Sequence, residues 1–414
     1  MSLPNEPVGP LAVLRYRDFR LLWVGQVLSM IGSRMQGAAL LWHLYALTGS
    51  PYALGAIGLV RVIPLVTFAL IGGVVADALD RRRLMLISQS IMALLAAGLG
   101  TWSLLGLRHP WPIYVVAGLN AATIAFDGPA RQSMVVTLVP RERLAQAVSL
   151  NSMSSQLASV IGPALAGLVI AQHSVGQAYL VNAASFLAVI VALLAMRPPA
   201  KDAEDLRPAI SLPAVLEGLR FMRRSRLLVS LMLLDFVATF FASANSLLPV
   251  FATRILHVGP TGYGWLAAAS AVGSLAGALG MALAPPIRRQ GAVVLWAVFA
   301  YGLATVAFGL SQSFAVSFLA LAGTGAADTV STVLRQTIRQ LVTPDALRGR
   351  MTSINMIFFQ GGPQLGEMEA GLVAGWRGAP FSVVSGGIAC LLTVGAVVVR
   401  APWLRRYRGV EVRE

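Results

Sequence analysis

Twelve apolar segments follow one another along this chain, and most are long enough to cross a lipid bilayer as a helix. A helix needs about 20 residues to span roughly 30 Å of hydrocarbon. A composition of 57% hydrophobic and 12% charged residues excludes a soluble fold of this length. The sequence therefore predicts an all-α membrane protein with twelve transmembrane helices. The predicted segments are 19–47, 52–77, 84–107, 111–138, 145–172, 178–196, 227–253, 262–285, 291–310, 313–338, 351–375 and 379–399.

Arginines concentrate in alternate loops between these segments, which predicts the orientation of the chain. The arginine-rich positions are Arg15, Arg17, Arg20, Arg81 to Arg83, Arg141, Arg143, Arg197 to Arg226, Arg288, Arg289, Arg348, Arg350 and Arg400 to Arg413. The opposite loops offer only Arg108, Arg254 and Arg377. Cytoplasmic loops carry the excess of basic residues, so both termini and the long middle loop are expected in the cytoplasm. Residues 1–18 have no apolar core, so a cleavable signal peptide is not expected.

The two halves of the chain repeat short patterns at one constant offset. Arg131-Gln132 recurs as Arg335-Gln336, and Ala166-Gly167-Leu168 recurs as Ala370-Gly371-Leu372. A repeat of this kind predicts two pseudo-symmetric six-helix halves joined by the polar, proline-bearing middle loop. Within that loop, 211–224 is predicted to form an amphipathic surface helix. The predicted division is an N-terminal half at 1–196, a cytoplasmic linker at 197–226, and a C-terminal half with its tail at 227–414.

Several classes of function lack the residues that they require. The formal charge of +15 is spread over short loops rather than one face, so nucleic acid is not an expected partner. The chain has no phosphate-binding Gly-x4-Gly-Lys-Ser/Thr loop and no His or Cys spacing typical of a metal site. A membrane-embedded enzyme would need a His pair or a Ser/His/Asp set among the spans, and none is visible. We therefore expect neither an enzyme nor a metal site.

A charged turn between the second and third segments carries a family motif. The stretch from Gly72 to Arg83 resembles the loop between helices two and three of the major facilitator superfamily, Gly-x-x-x-Asp-Arg/Lys-x-Gly-Arg-Arg/Lys. Ala78 stands where the family has a base. The matching positions are Gly73, Asp77, Arg81 and Arg82, and Asp80 occupies the place of the family's glycine. An acidic residue at that place resembles the branch that holds the enterobactin exporters and related drug-efflux proteins, the transmembrane secretion effectors. The resemblance implies that the loop forms a cytoplasmic gate.

A second motif lies in the fifth segment. Gly162-Pro163-Ala164-Leu165-Ala166-Gly167 is similar to the Gly-Pro-x-x-Gly-Gly signature of drug and proton antiporters, with Ala166 in place of one glycine. Proline frees a backbone carbonyl and kinks the helix, and small residues allow close helix packing. The alternative is ordinary small-residue packing in a membrane bundle. Gly162, Pro163 and Gly167 are thus candidates for an antiporter motif, with Gly273, Gly277 and Gly280 of helix eight as the expected partners.

Ionisable residues inside the spans are few, and each is a candidate for coupling or substrate binding because a charge in the bilayer is costly. In the family that this chain resembles, helices one, four, seven and ten line the cavity. The candidates are Arg34, Gln36, Arg61, Asp127, Arg131, Asp235, Asp328 and Arg335, with Phe236 as a weaker aromatic candidate. Glu367 and Glu369 are expected to face only the periplasmic vestibule. Asp127 is the first choice for the proton carrier, since it shares a helix face with Arg131 at i, i+4. The alternative is a fixed structural ion pair.

These observations together predict a secondary transporter in the bacterial cytoplasmic membrane, working as a monomer. Its expected activity is proton-coupled efflux, by alternating access, of a small amphipathic molecule such as a drug or a siderophore. The energy source would be the proton gradient, with no cofactor. Antiport and multidrug resistance belong to this expectation. A facilitator or importer of lysophospholipid or a nutrient is the alternative.

Overall fold

The structure is a computed structural model that describes residues 11–78, 80–197, 220, 222, 225–344 and 348–407, and their side chains except those of 69–78 and 348–360. Long helices account for almost all of these residues. Their bounds are α1 Arg17–Thr48, α2 Pro51–Ala78, α3 Arg81–Leu104, α4 Trp111–Leu138, α5 Leu144–Gln172, α6 Val175–Ala195, α7 Arg226–Phe241, α8 Gly259–Leu283, α9 Gln290–Leu310, α10 Phe314–Val342, α11 Arg348–Arg377, α12 Ala379–Arg400 and the short α13 Pro402–Arg406. The twelve predicted segments correspond to α1–α12, with ends that differ by a few residues.

Ten of the described helical segments are long and apolar enough to cross a membrane. The other two long helices, α1 and α11, have 32 and 30 residues, which exceeds the length that a span requires. Both carry more polar side chains than their neighbours: α1 contains Arg34, Gln36 and His43, and α11 contains Glu367 and Glu369. Polar residues within spans face a cavity or a partner rather than lipid, so these two helices are candidates to line a functional cavity.

The seventh predicted helix, 227–253, is interrupted, contrary to the sequence expectation of a continuous segment. Its α-helical part ends at Phe241, and the chain resumes through short turns at Asn245–Leu247, Leu248–Val250 and the π-helical Phe251–Ile255. Pro249 lies in the first turn of the helical segment Leu248–Val250, where a proline fits because its missing N–H would have no partner. Proline alone does not account for the interruption, because Pro64, Pro129, Pro163 and Pro363 lie inside continuous helices.

The helices group into two compact units. The first unit consists of 1–39 and 67–209, and the second of 40–66 and 210–414. The end of α1 and most of α2 therefore belong with the second unit. The predicted amphipathic helix at 211–224 and most of the predicted linker lie outside the described residues. The predicted division into halves at 197–226 stays a prediction.

Each unit has its own apolar core and its own close helix crossings. The core of the first unit includes Phe19, Met85 and Leu193, and that of the second includes Val298 and Cys390. Small residues set the crossings within each unit. In the first, a Cβ on Gly100 of α3 would lie 3.0 Å from the carbonyl oxygen of Gly176 of α6. In the second, Gly273 and Gly277 of α8 face Ala322 and Ala326 of α10 with no room for a Cβ. Van der Waals contact of this kind is what holds helices together in lipid.

Candidate functional site

Asp127 and Arg131 form an ion pair within the first unit, as their spacing on α4 predicts. The Arg131 Nε lies 3.9 Å from the Asp127 Oδ2. Asp127 is 4% exposed, and its other oxygen, Oδ1, accepts a hydrogen bond of 2.9 Å from the Gln89 amide of α3. Arg131 keeps 35% of its side chain exposed. The carboxylate is thus enclosed and satisfied from a second helix, while its cation stands at an open face.

Arg34 and Gln36 lie close together on α1 but have different surroundings. Arg34 is exposed and lies near enough to Arg131 for the two like charges to interact. Gln36 is buried, and its Oε1 accepts a hydrogen bond of 2.6 Å from the Asn182 amide of α6. Gln36 therefore links α1 to α6 through this hydrogen bond and is not part of the charged group around Arg34. The polar group of this unit consists of Arg34, Asp127 and Arg131, with two positive charges and one negative.

Asp235, Asp328 and Arg335 come together within the second unit, although α7 and α10 are far apart in sequence. The Arg335 Nη1 lies 2.5 Å from the Asp235 Oδ1, and the Arg335 Nη2 lies 3.8 Å from the Asp328 Oδ1. Thr332 stands between the last two groups and accepts a 2.8 Å hydrogen bond from Arg335. Arg339, one turn further along α10, interacts with Asp235. One arginine thus holds two carboxylates, tightly at Asp235 and loosely at Asp328.

Phe236 follows Asp235 on α7 and packs against aromatic and small residues. Its ring stacks on Phe240 with centroids 5.6 Å apart, and Phe240 meets Phe241 edge to face at 4.9 Å. A Cβ on Gly362 of α11 would lie 3.5 Å from the Phe236 ring. The aromatic candidate is therefore part of the packing of α7 against α11.

Arg61 and Glu367 form a third ion pair, which the sequence analysis missed. The Arg61 Nη1 of α2 lies 3.9 Å from the Glu367 Oε2 of α11, within the second unit. Glu367 is 8% exposed, which contradicts the expectation that it only faces a vestibule. Its Oε2 has no hydrogen bond within the described residues. Both charges interact with the buried Tyr263 of α8, whose ring packs against Trp42 at 5.2 Å.

The pairing of Arg61 with Glu367 is supported by a close crossing of α2 and α11. A Cβ on Gly55 would lie 2.9 Å from the Gly371 Cα, and Gly58 faces the carbonyl oxygen of Gln364 with no room for a Cβ. The signal for this pair was present in the sequence as a cation in helix two and an acid in helix eleven. Their spacing along the chain does not predict the pair, because the two residues meet only through the packing of α2 on α11.

The charged turn has local partners in the first unit. Asp80 caps α3, since its Oδ1 accepts a 2.9 Å hydrogen bond from the Arg83 N–H. Arg82 donates to the carbonyl oxygen of Leu194 at 3.2 Å and so ties the start of α3 to the end of α6. The side chain of Asp77 lies outside the described residues, as does any contact that Gly73 makes. The cytoplasmic gate of Gly73, Asp77, Asp80, Arg81 and Arg82 therefore stays a prediction.

The helix-five motif makes its close contact with α1. Gly162, Pro163 and Gly167 are all buried in α5. A Cβ on Gly162 would lie 2.5 Å from the Arg34 Cβ and 2.8 Å from the Ile31 carbonyl oxygen. Within the second unit, Gly273 and Gly277 face α10. Helix eight belongs to the other unit, so its predicted packing against helix five stays a prediction. Gly162 lets α1 approach so that Arg34 is positioned in the first unit.

Within the described residues, no group of three His, Cys, Asp or Glu side chains could hold a metal ion. The arrangement offers charged pairs inside apolar spans, which can bind ions, protons or charged substrates. It offers no nucleophile with an adjacent base in these pairs, so bond-making chemistry has no support from them.

Comparison with known proteins assigns the family. The profile of the family described as transmembrane secretion effector matches residues 8–408. The enterobactin exporters EntS of Shigella boydii serotype 18 and of Escherichia coli O81 are each 25% identical over 393 residues, covering 94% of this chain and 93% of theirs. The chain therefore belongs to the transmembrane secretion effectors, which are transporters of the major facilitator superfamily and not enzymes.

Solved transporters share the fold. A bacterial homologue of the lysosomal transporter Spinster is similar with a TM-score of 0.68 and 16% identity, over 94% of this chain and 96% of that one. The nucleoside transporter NupG is similar with a TM-score of 0.71 and 14% identity, over 94% and 98%. A bacterial homologue of the iron transporter ferroportin has a TM-score of 0.66 and 16% identity, over 94% and 99%. The predicted major facilitator fold is confirmed.

Proposed function

We propose that this transmembrane secretion effector exports a small amphipathic anion across the inner membrane in exchange for protons. Efflux follows from the family, and the relatives named above are exporters of enterobactin. A siderophore of that kind is therefore the substrate class that we test first. The observation that carries the proposal is the charged group of the first unit, Arg34, Asp127 and Arg131.

The charge of that group favours an anion. Two guanidinium groups and one carboxylate leave an excess positive charge in a largely apolar unit. An unbalanced charge inside a membrane protein is expensive, and a bound ion of opposite sign lowers that cost. Arg34 and the exposed side of Arg131 can meet an anionic oxygen, since a planar guanidinium binds such groups through two parallel N–H donors. A cationic drug would be repelled by the same group.

We assign the proton to Asp127 on the distances between the paired charges. Asp235 is held by Arg335 at 2.5 Å, a close pair that is expensive to separate. Asp127 is 3.9 Å from Arg131, and its remaining contact is a neutral amide. A loose pair loses less when the carboxylate is protonated, so Asp127 suits a group that must release its charge in each cycle.

Transport into everted membrane vesicles tests this proposal. With an interior-acid gradient, labelled enterobactin should enter wild-type vesicles several-fold faster than after a protonophore is added. Asp127→Asn should abolish the gradient-driven part and keep downhill exchange, because alternating access itself does not require the charge. Glu142→Gln, an exposed acid in the turn before α5, is the matched control and should behave as wild type.

A double variant separates coupling from structure. If Asp127 and Arg131 only stabilise the fold, Asp127→Asn with Arg131→Gln restores both folding and gradient-driven export, since no unpaired charge remains. If Asp127 carries the proton, the double variant folds and stays uncoupled. Export by Asp127→Asn at the wild-type rate would contradict the assignment. Wild-type transport that is indifferent to the gradient would mean a facilitator and overturn proton coupling.

A further inference from the structure

A groove of about 930 Å³ runs between α9 and α12 within the second unit. Its walls are apolar: Trp296 and Phe299 are 70% and 38% exposed, whereas Leu295 and Val394 are buried. The apolar lining residues are Leu295, Trp296, Phe299, Leu391, Val394 and Val398. An exposed apolar surface on two membrane-spanning helices contacts lipid chains rather than water.

Three arginines close one end of the groove. Arg289 precedes α9, and Arg405 and Arg406 lie on α13. The short helix is fixed there by its backbone: Gly291 faces the carbonyl oxygen of Leu404 with no room for a Cβ, and its N–H donates to the Tyr407 carbonyl at 3.4 Å. Leu404 itself is fully buried. The packing of α13 on α9 therefore gathers three cations that are distant in sequence.

The helices that carry these cations contain no acidic residue. The sequence contains no Asp or Glu in 236–327 or in 370–410, so α9, α12 and α13 carry none. Within the described part of the chain, none of the three guanidinium groups forms an ion pair. All three residues are exposed. The groove is thus apolar along its length and strongly positive at one end.

We propose that this groove binds one anionic phospholipid of the membrane. The phosphate would contact Arg289, Arg405 and Arg406, and an acyl chain would lie along α9 and α12. Guanidinium groups bind phosphate oxygens through paired N–H donors, and basic pockets between transmembrane helices bind anionic headgroups. The site is independent of Arg34, Asp127 and Arg131, and it takes a lipid that is not the transported substrate.

Retention of lipid on the full-length protein tests the site. Wild-type protein in mixed micelles is presented with palmitoyl-oleoyl phosphatidylglycerol or the corresponding phosphatidylcholine, and bound lipid is counted by native mass spectrometry. We expect one phosphatidylglycerol to be retained at concentrations at which phosphatidylcholine is not. Arg289→Gln with Arg405→Gln and Arg406→Gln should weaken that retention at least about tenfold, since the three guanidinium groups that would contact the phosphate are lost.

Two controls distinguish a site from general attraction of anionic lipid to a basic protein. The first removes three exposed arginines that do not line the groove, with the variants Arg83→Gln, Arg141→Gln and Arg288→Gln together. This triple variant has the same charge change and should retain phosphatidylglycerol as wild type does.

The second control fills the groove and leaves every charge in place. Gly395 lines the groove and has nothing within 4 Å of its missing Cβ, so Gly395→Phe projects into the groove without a clash. It should lower retention of phosphatidylglycerol, whereas Gly98→Phe on α3, also with open space, should not. Equal loss in the two arginine triples, equal retention of the two lipids, or undiminished retention by Gly395→Phe would each overturn the proposal.

Discussion

The ion pair of Arg61 and Glu367 shows how much one buried charge pair with few other contacts contributes to the stability of the fold. Their closest atoms are 3.9 Å apart, and the Glu367 Oε2 has no hydrogen bond within the described residues. The two side chains are 11% and 22% exposed, so water screens them little. Removing one member would leave the other charge buried and alone, which costs more than the pair itself gains.

We therefore expect Glu367→Gln to destabilise the protein by about 3 kcal/mol, seen as a lower unfolding temperature in detergent. Arg61→Gln should do the same, and the double variant should recover much of the loss. Glu369→Gln is the control, because Glu369 is on the same helix, only half-buried, and forms no ion pair within the described residues. Equal effects of Glu367→Gln and Glu369→Gln would contradict a stabilising pair.

The charged candidates differ in how far the sequence could predict them. Asp127 and Arg131 are one turn apart on one helix, so their pairing follows from helix geometry alone. Asp235 with Arg335, and Arg61 with Glu367, are joined by the packing of helices that are distant in sequence. Each of these residues was identifiable as costly inside a span, but its partner was not. The sequence thus indicated which residues are costly inside a span without indicating most of their contacts.

At the scale of helices, glycines determine which pairs approach closely. Gly273 of α8 faces Ala322 of α10, and Gly325 of α10 faces Ser270 of α8, so the two helices touch backbone to backbone from both sides. Ser274 adds a hydrogen bond of 3.2 Å to the Gly325 carbonyl. In lipid, where no hydrophobic effect drives helices together, this contact area is the main source of their association.

Alanine at Gly273 should push α8 away from α10 and lower stability by about 1–3 kcal/mol, the usual cost of overpacking. Gly280→Ala is the matched control: it lies two turns further on the same helix, is exposed, and has nothing within 4 Å of its Cβ position. There alanine should leave stability unchanged or raise it by up to about 1 kcal/mol through helix propensity. Thermal unfolding in detergent compares the two, and equal results would show that the crossing does not depend on Gly273.

Helix number and length were predictable because each span must satisfy its own backbone hydrogen bonds across a fixed thickness. The interruption after α7 was not predictable, since 227–253 is a continuous apolar run and prolines elsewhere, such as Pro163 in α5, lie inside continuous helices. The partners of small residues were also not predictable. Gly162 packs on α1, which its motif did not predict, because a sequence pattern identifies a face and not its neighbour.

At the scale of the whole molecule, the distribution of arginines predicts the orientation. Basic residues do not cross the bilayer readily, so we expect the loops that hold most of them to stay on the side of synthesis. The same loops carry the groups described above: Arg82 fastened to the end of α6, and Arg289, Arg405 and Arg406 at the lipid groove. If these loops are cytoplasmic as predicted, an anionic headgroup at that groove would lie in the cytoplasmic leaflet, whose surface is negative.

Reporter fusions test the orientation. Green fluorescent protein joined after Glu414, or inserted near Lys201, should fluoresce, because both positions are expected in the cytoplasm. Alkaline phosphatase at either position should be inactive, and at Arg108, between α3 and α4, it should be active because that loop is expected on the opposite side. At each site only one of the two reporters should be active, because they work on opposite sides of the membrane. An even number of spans places both termini on the same side. Phosphatase activity after Glu414 with fluorescence at Arg108 would reverse the orientation, and with it the direction in which a proton gradient could drive export.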